Sequence, residues 1–197
     1  MALQILVTDD HSLVREGLKS LLEGQGFQVT GEAGDGRTAV KLAKALHPHA
    51  AIIDISMPGL NGIDATRQIH QECPEVKVIV LSMRSDSQAV LEAFAAGASA
   101  YLLKEAAFEE LTVALKVAMQ GKTYVSPAVA HLVVRCSLEH CSPIPGQMSH
   151  GISGREREIL QLVAEGRSSK EMAASLYVSV KTIETHRKQI MEKLRLH

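Results

Sequence analysis

Five polar residues able to share chemistry sit at the ends of short apolar runs. Asp9 and Asp10 follow LQILVT, Asp54 lies in AIIDI, Ser82 closes KVIVLS and Lys104 follows AYLL. Three carboxylates in one place repel one another and raise each other's pKa unless a cation lies among them. A hard divalent ion such as Mg²⁺ relieves this, because it takes few carboxylates and completes its shell with water and substrate oxygens. A lysine beside such a site holds an anionic group as a point charge, and a serine hydroxyl donates to one of its oxygens. Carboxylate nucleophile, Mg²⁺, ammonium and hydroxyl together describe acceptance of a phosphoryl group on aspartate. Each residue also has a local reading: Asp10 or Ser12 as a helix cap, Lys104 as a solvated charge.

The elements that must position these residues alternate in periodicity. β-branched or apolar runs occur at Leu3–Thr8, Phe27–Ala33, Ala50–Ile55, Val76–Ser82 and Ala100–Leu103. Between them, apolar residues recur at helical spacing near 12–24, 37–46, 63–72, 86–96 and 107–120. Strands alternating with helices predict a parallel sheet covered on both faces, and runs such as IIDI suit strands buried on both sides. In such a sheet the strand carboxyl ends share one edge, where ligand sites form. Residues 9, 10, 54, 82 and 104 are therefore expected to converge.

Residues 123–150 read as a connection: a strap, a short helix near 127–135 opened by Pro127, then a flexible Pro- and Gly-containing linker. Cys136, His140 and Cys141 lack the paired spacing of a zinc site. From Ser153 the pattern is helical. Ser153 with Glu156 and Ser168 with Glu171 form capping boxes, and Gly166 stops the first helix. The first helix is expected to bury Ile159, Leu160, Val163 and Ala164, and the second Met172, Ala173 and Leu176. Ser179 caps a third, with Ile183, Ile190 and Leu194 inward. Two helices joined by a brief turn are a helix-turn-helix. The third helix presents Lys181, Thr182, Glu184, Thr185, Arg187 and Lys188, residue types suited to phosphate and base-edge contacts.

The net charge of −1 conceals an asymmetry. Residues 1–122 carry 11 Lys/Arg against 15 Asp/Glu, whereas residues 153–197 carry 9 against 6. A basic end behind an acidic beginning points to nucleic acid at the end alone. Three cysteines without tight spacing argue against a disulfide framework. With no apolar run of membrane-spanning length and no signal pattern, the expected location is cytoplasmic, with no membrane partner.

The motifs DD at 9–10, IIDISMPGLNGID, VLSM and YLLKE make residues 1–122 resemble a receiver domain, and GREREILQLVAEGRSSKEMAASLYVSVKTIETHRKQIMEKL resembles the DNA-binding domain of the NarL/FixJ/LuxR class. The fold so implied is α/β: a five-stranded parallel flavodoxin-like (βα)5 domain at 1–122, a linker at 123–150 and a small all-α helix-turn-helix domain at 151–197. The resemblance implies a transcription regulator of the two-component type rather than an enzyme. A phosphatase with an aspartate nucleophile carries D-x-D on its first strand, and here the lone candidate closes the third. Asp54 would be the phosphoacceptor of a histidine kinase. Asp9, Asp10, Asp54 and the main-chain carbonyl of Ser56 would hold Mg²⁺. Lys104 and Ser82 would bind and sense the phosphoryl group. Tyr101 would turn inward as Ser82 moves, although the residue pattern equally allows it a half-exposed strand position. Pro58 and Gly62 would shape the loop after Asp54 through their φ preferences. The face of the fourth helix, fifth strand and fifth helix, with Arg84, Ala93, Ala96 and Tyr101, would change partner on phosphorylation.

In the C-terminal block, Glu184, Thr185 and Lys188 would face the major groove of double-stranded DNA while Lys181, Thr182 and Arg187 hold phosphates. Members of the class usually continue past KLxxH into a fourth, dimerising helix, so 151–197 is expected to lack its last helix. A homodimer is expected on phosphorylation.

Overall fold

The computed structural model describes residues 2–139 and 152–193, with backbone alone for 135–139. The chain divides into two compact units, Met1–Glu139 and His140–His197.

The first unit is built on six strands: β1 (Gln4–Thr8), β2 (Gln28–Ala33), β3 (Ala50–Asp54), β4 (Lys77–Ser82), β5 (Ala100–Leu103) and β6 (Tyr124–Val125). Their order is β2-β1-β3-β4-β5-β6, and every neighbouring pair is parallel. Helices α1 (Ser12–Gly24), α2 (Gly36–Leu46), α3 (Gly62–Glu72), α4 (Ser87–Ala95) and α5 (Ala107–Met119) alternate with the first five strands. The sheet thus has one strand more than expected. The strap closes it: Ser126 N–H donates to the Tyr101 carbonyl at 2.9 Å and Tyr124 N–H to the Ser99 carbonyl at 3.1 Å. Two residues of strand are too few to show a periodicity. Helix α6 (Pro127–Glu139) follows, longer than expected, and packs against α4.

Successive strand residues face opposite sides of the pleat, and the two cores follow that alternation. Leu6, Ala51, Ile53, Val78 and Val80 pack with α2, α3, α4 and Val129 of α6. Ile5, Val7, Ala50, Ile52, Ile79 and Leu81 pack with Leu18 and Leu22 of α1 and Leu111 and Leu115 of α5. The central strands are therefore apolar on both faces.

The second unit contains α7 (Gly154–Ala164), α8 (Ser169–Leu176) and α9 (Val180–Lys193). Both capping boxes form, and Gly166 terminates α7 with φ +76. Ser179 accepts the Thr182 N–H at 3.1 Å, capping α9. The core comprises Ile159, Leu162, Met172, Ala173, Leu176, Ile183 and Ile190. The stripe expected on α7 is out of phase. Val163 and Ala164 face solvent, while Leu162 and the stem of Glu156 turn inward. Leu194 lies outside the described residues. Among the described residues no helix is long and apolar enough to cross a membrane.

Candidate functional site

The carboxyl edge of the sheet gathers the expected side chains. Asp9 and Asp54 are buried, Asp10 beside them is partly exposed, and Lys104 reaches between the first two. Its Nζ lies 2.7 Å from Asp9 Oδ2 and 2.8 Å from Asp54 Oδ2. These are ion-pair distances off the axis of a good hydrogen bond, so both Asp54 oxygens and Asp9 Oδ2 lack an aligned donor. Burial pushes the Asp54 carboxyl above its ordinary range, against the pull of Lys104. Burial also opposes the Lys104 charge, but the two carboxylates outweigh it and hold its pKa above the usual value.

The local readings of these residues do not describe the structure. The cap position of α1 is His11, without a side-chain cap, so neither Asp10 nor Ser12 caps that helix. Lys104 is an ion-paired, largely covered ammonium rather than a solvated one.

Two participants have no counterpart in the sequence reading. His11 donates its N–H to Asp9 Oδ1 at 2.9 Å, and its Nδ1 approaches Asp10 Oδ1 at 2.8 Å. Arg15 donates to the Asp9 carbonyl at 2.6 Å. His11 directly follows the DD pair and Arg15 lies one helical turn further on, a spacing that signals both. Oxygens of Asp9, Asp10 and Asp54 and a ring nitrogen of His11 all lie within 4.8 Å of one another. That spread suits the shell of one small divalent ion. The orphaned oxygens are acceptors of the kind such an ion requires.

The loop after β3 makes this approach tight. A Cβ on Gly62 would fall onto the Asp54 carbonyl oxygen, so glycine is required there by space. The positive φ in this loop falls at Gly59, at +75. Ser56 and Pro58 are exposed in the same loop.

Ser82 is buried and its Oγ accepts the Arg84 N–H at 2.9 Å. Tyr101 is fully buried, not half-exposed, and its hydroxyl donates to the Arg84 carbonyl at 2.7 Å. Arg84 in turn clasps Asp86 through Nε at 2.9 Å and Nη2 at 3.0 Å, and Asp86 caps α4 by accepting from Ala89 N–H. Backbone and side chain thus run unbroken from Ser82 to the start of α4.

In the second unit, Lys181, Glu184, Thr185, Arg187 and Lys188 are exposed on α9 and Thr182 half-exposed, with Ile183 and Ile190 turned to the core. Arg187 is steadied by Ser169 of α8 at 3.1 Å, whereas among the described residues Lys188 reaches only Glu192, at 4.0 Å. Tyr177, in the turn before α9, is 93% exposed with φ +52.

Comparison with known proteins adds a family to this geometry. The family model for the response regulator receiver domain matches residues 5–116. That for bacterial regulatory proteins of the luxR family matches residues 150–197. The transcriptional regulatory protein DegU of Brevibacillus brevis is 35% identical, over 99% of this chain and 89% of its own. The transcriptional regulatory protein LiaR of Bacillus subtilis is 38% identical, over 98% and 90%. Among solved structures, a complex of the response regulator RcsB with DNA is 28% identical with a TM-score of 0.62, covering all of this chain and 94% of its own.

Proposed function

The chain belongs to the response regulators with a LuxR-type DNA-binding domain, and from that premise we propose that Asp54 is its phosphoacceptor and α9 its recognition helix. The observation that carries the first part is Lys104, shared between Asp9 and Asp54 while the Asp54 oxygens keep no aligned donor. One Asp54 oxygen attacks the phosphorus of a histidine kinase's phosphohistidine, and the bond from phosphorus to the histidine nitrogen breaks. Lys104 then neutralises charge on the new acyl phosphate, and the Ser82 hydroxyl donates to one of its oxygens. Asp9, Asp10, Asp54 and the Ser56 carbonyl are the residues that would hold Mg²⁺. That ion, when bound, supplies the positive charge that lets an anion approach clustered carboxylates. Tyr101 reports the position of Ser82.

The output is transcription control by DNA binding from 151–197, joined through 123–150 to the receiver at 1–122, in the cytoplasm and with no catalytic turnover of its own. The basic end of the chain and the solvent-facing row on α9 support this reading. A second copy of the chain, paired on phosphorylation, suits the two half-sites that helix-turn-helix proteins bind. RcsB is bound to DNA in its solved complex, and here the same partner is proposed.

Acetyl phosphate with Mg²⁺ should add one phosphoryl group to the wild-type protein and none to Asp54→Ala, read by intact mass. Equal labelling of the variant would remove Asp54 from its role. For the DNA half, Lys188→Ala should cost about 1–3 kcal/mol on a specific duplex and relax base preference. Arg187→Ala should weaken specific and random duplexes alike and flatten the salt dependence. Identical behaviour of the two variants would show that α9 does not read bases.

A further inference from the structure

Resting on the reading of the Asp9, Asp10 and Asp54 pocket as a cation site, we propose that His11 is a further ligand of that pocket. It opens the pocket to borderline first-row divalent ions, the class of Zn²⁺, Ni²⁺ and Co²⁺.

The main chain of His11 is already bound to the pocket, since its N–H donates to Asp9 Oδ1 at 2.9 Å. The ring lies over the two aspartates, with Nδ1 3.2 Å from Asp9 Oδ1 and 2.8 Å from Asp10 Oδ1. One ring nitrogen carries at most one proton and cannot direct it along both lines. Neighbouring ligands of one ion have such spacings: donors about 2.1 Å from a metal and at right angles lie about 3.0 Å apart. Asp54 completes a set of donor atoms that all lie within 4.8 Å of one another. Lys104 pairs with Oδ2 of Asp9 and of Asp54, while the buried Asp54 Oδ1 keeps no aligned donor. Among the described residues no other group of His, Cys, Asp and Glu side chains converges in this way.

The chemistry of the donor set decides the class of ion. Mg²⁺ is hard, takes oxygen and gains little from imidazole, so the carboxylates and the Ser56 carbonyl suffice for it. Zn²⁺, Ni²⁺ and Co²⁺ accept carboxylate oxygen too, but they bind imidazole nitrogen far better than Mg²⁺ does. His11 therefore adds to their affinity selectively. Its side chain is 68% exposed, so the ring can adjust onto an ion without opening either core. The three carboxylates are common to both sets, and one ion excludes the other. An ion held through His11 displaces Mg²⁺ rather than joining it, and its supply sets how much of the chain is open to Mg²⁺-dependent phosphoryl transfer.

The test titrates the full chain with Zn²⁺ and, separately, with Mg²⁺. NMR follows the imidazole nitrogens of His11 and the amides of Asp9, Asp10 and Asp54. Zn²⁺ should move His11 Nδ1 and the three amides with one dissociation constant, and excess Mg²⁺ should reverse the change. Mg²⁺ alone should move the amides without the ring-nitrogen shift of direct ligation. His11→Ala should lower the ratio of Zn²⁺ to Mg²⁺ affinity at these amides by about tenfold or more. Amides that answer both ions while Nδ1 stays still would overturn this inference alone, as would an unchanged ratio in His11→Ala. Amides that move with Nδ1 in Zn²⁺ but ignore Mg²⁺ would overturn the Mg²⁺ assignment and leave His11 a ligand. Amides silent to both ions would overturn the two together.

Discussion

Asp54 and Glu156 are both carboxylates turned into the protein, 1% and 4% exposed, yet their surroundings treat them in opposite ways. Glu156, at the start of α7, takes Lys193 Nζ at 2.8 and 2.7 Å and the Ser153 N–H at 2.7 Å. The Lys193 ammonium and the Ser153 backbone hold it down to about 2. Asp54 shares a single ammonium with Asp9, and burial pushes its pKa up against the pull of Lys104 and the Ser56 backbone. A carboxylate that only ties helices together is saturated with donors. One left under-satisfied in the interior is costly, and groups so perturbed cluster at functional sites. On the proposed reading, the same residue class marks structure in one unit and chemistry in the other.

The contrast is tested most severely at Lys104. Lys104→Met leaves Asp9 and Asp54 buried without a counter-charge and should cost the first unit about 3 kcal/mol. Faster exchange of the β1 and β3 amides would show it, with partial recovery in Mg²⁺. Unchanged exchange would mean that the pocket needs no cation.

Glu156→Ala removes a cap and a buried pair and should cost the second unit about 2 kcal/mol. Its pH dependence has a definite sign. The folded value lies below the ordinary 4.5, so the stabilisation is present above 4.5 and is lost as pH falls from there toward about 2. Because Lys193 is 40% exposed, the loss should be on the order of 1–2 kcal/mol rather than the full shift. Denaturant unfolding followed on α9 amide resonances at pH 5 and pH 3 checks it. The alanine variant should show no such sensitivity.

The smallest effect has the opposite sign. Asp54→Asn removes a buried charge while Lys104 keeps Asp9, and should stabilise the first unit by about 1 kcal/mol. A destabilised variant would place Asp54 with Glu156 among the structural carboxylates.

The strand ends were legible because each apolar run stops at a polar residue, and a parallel sheet aligns those ends. The α7 stripe was misphased because both Leu162 and Val163 are apolar, and only packing against α8 and α9 selects Leu162. Tyr101 stayed ambiguous for a related reason. Its burial depends partly on Val129, a residue far along the chain on a helix that sequence periodicity does not dock. The spatial requirement at Gly62 has no signal in the sequence because the obstacle is the main-chain oxygen of Asp54. Contacts to backbone leave little trace in residue types.

Strand β6 also bears on how the protein can be handled outside its native chain. It pairs Tyr124 with Ala100 and Val125 with Tyr101, shielding the hydrogen-bonding edge of β5 with two residues. A fragment cut after Lys122 would bare that edge along AYLL, an apolar strand with no charge or proline to deter a second copy. Unshielded edges of this kind invite edge-to-edge aggregation. A fragment ending at Glu139 keeps its own cover, and solubility rather than signalling decides where this chain is best divided.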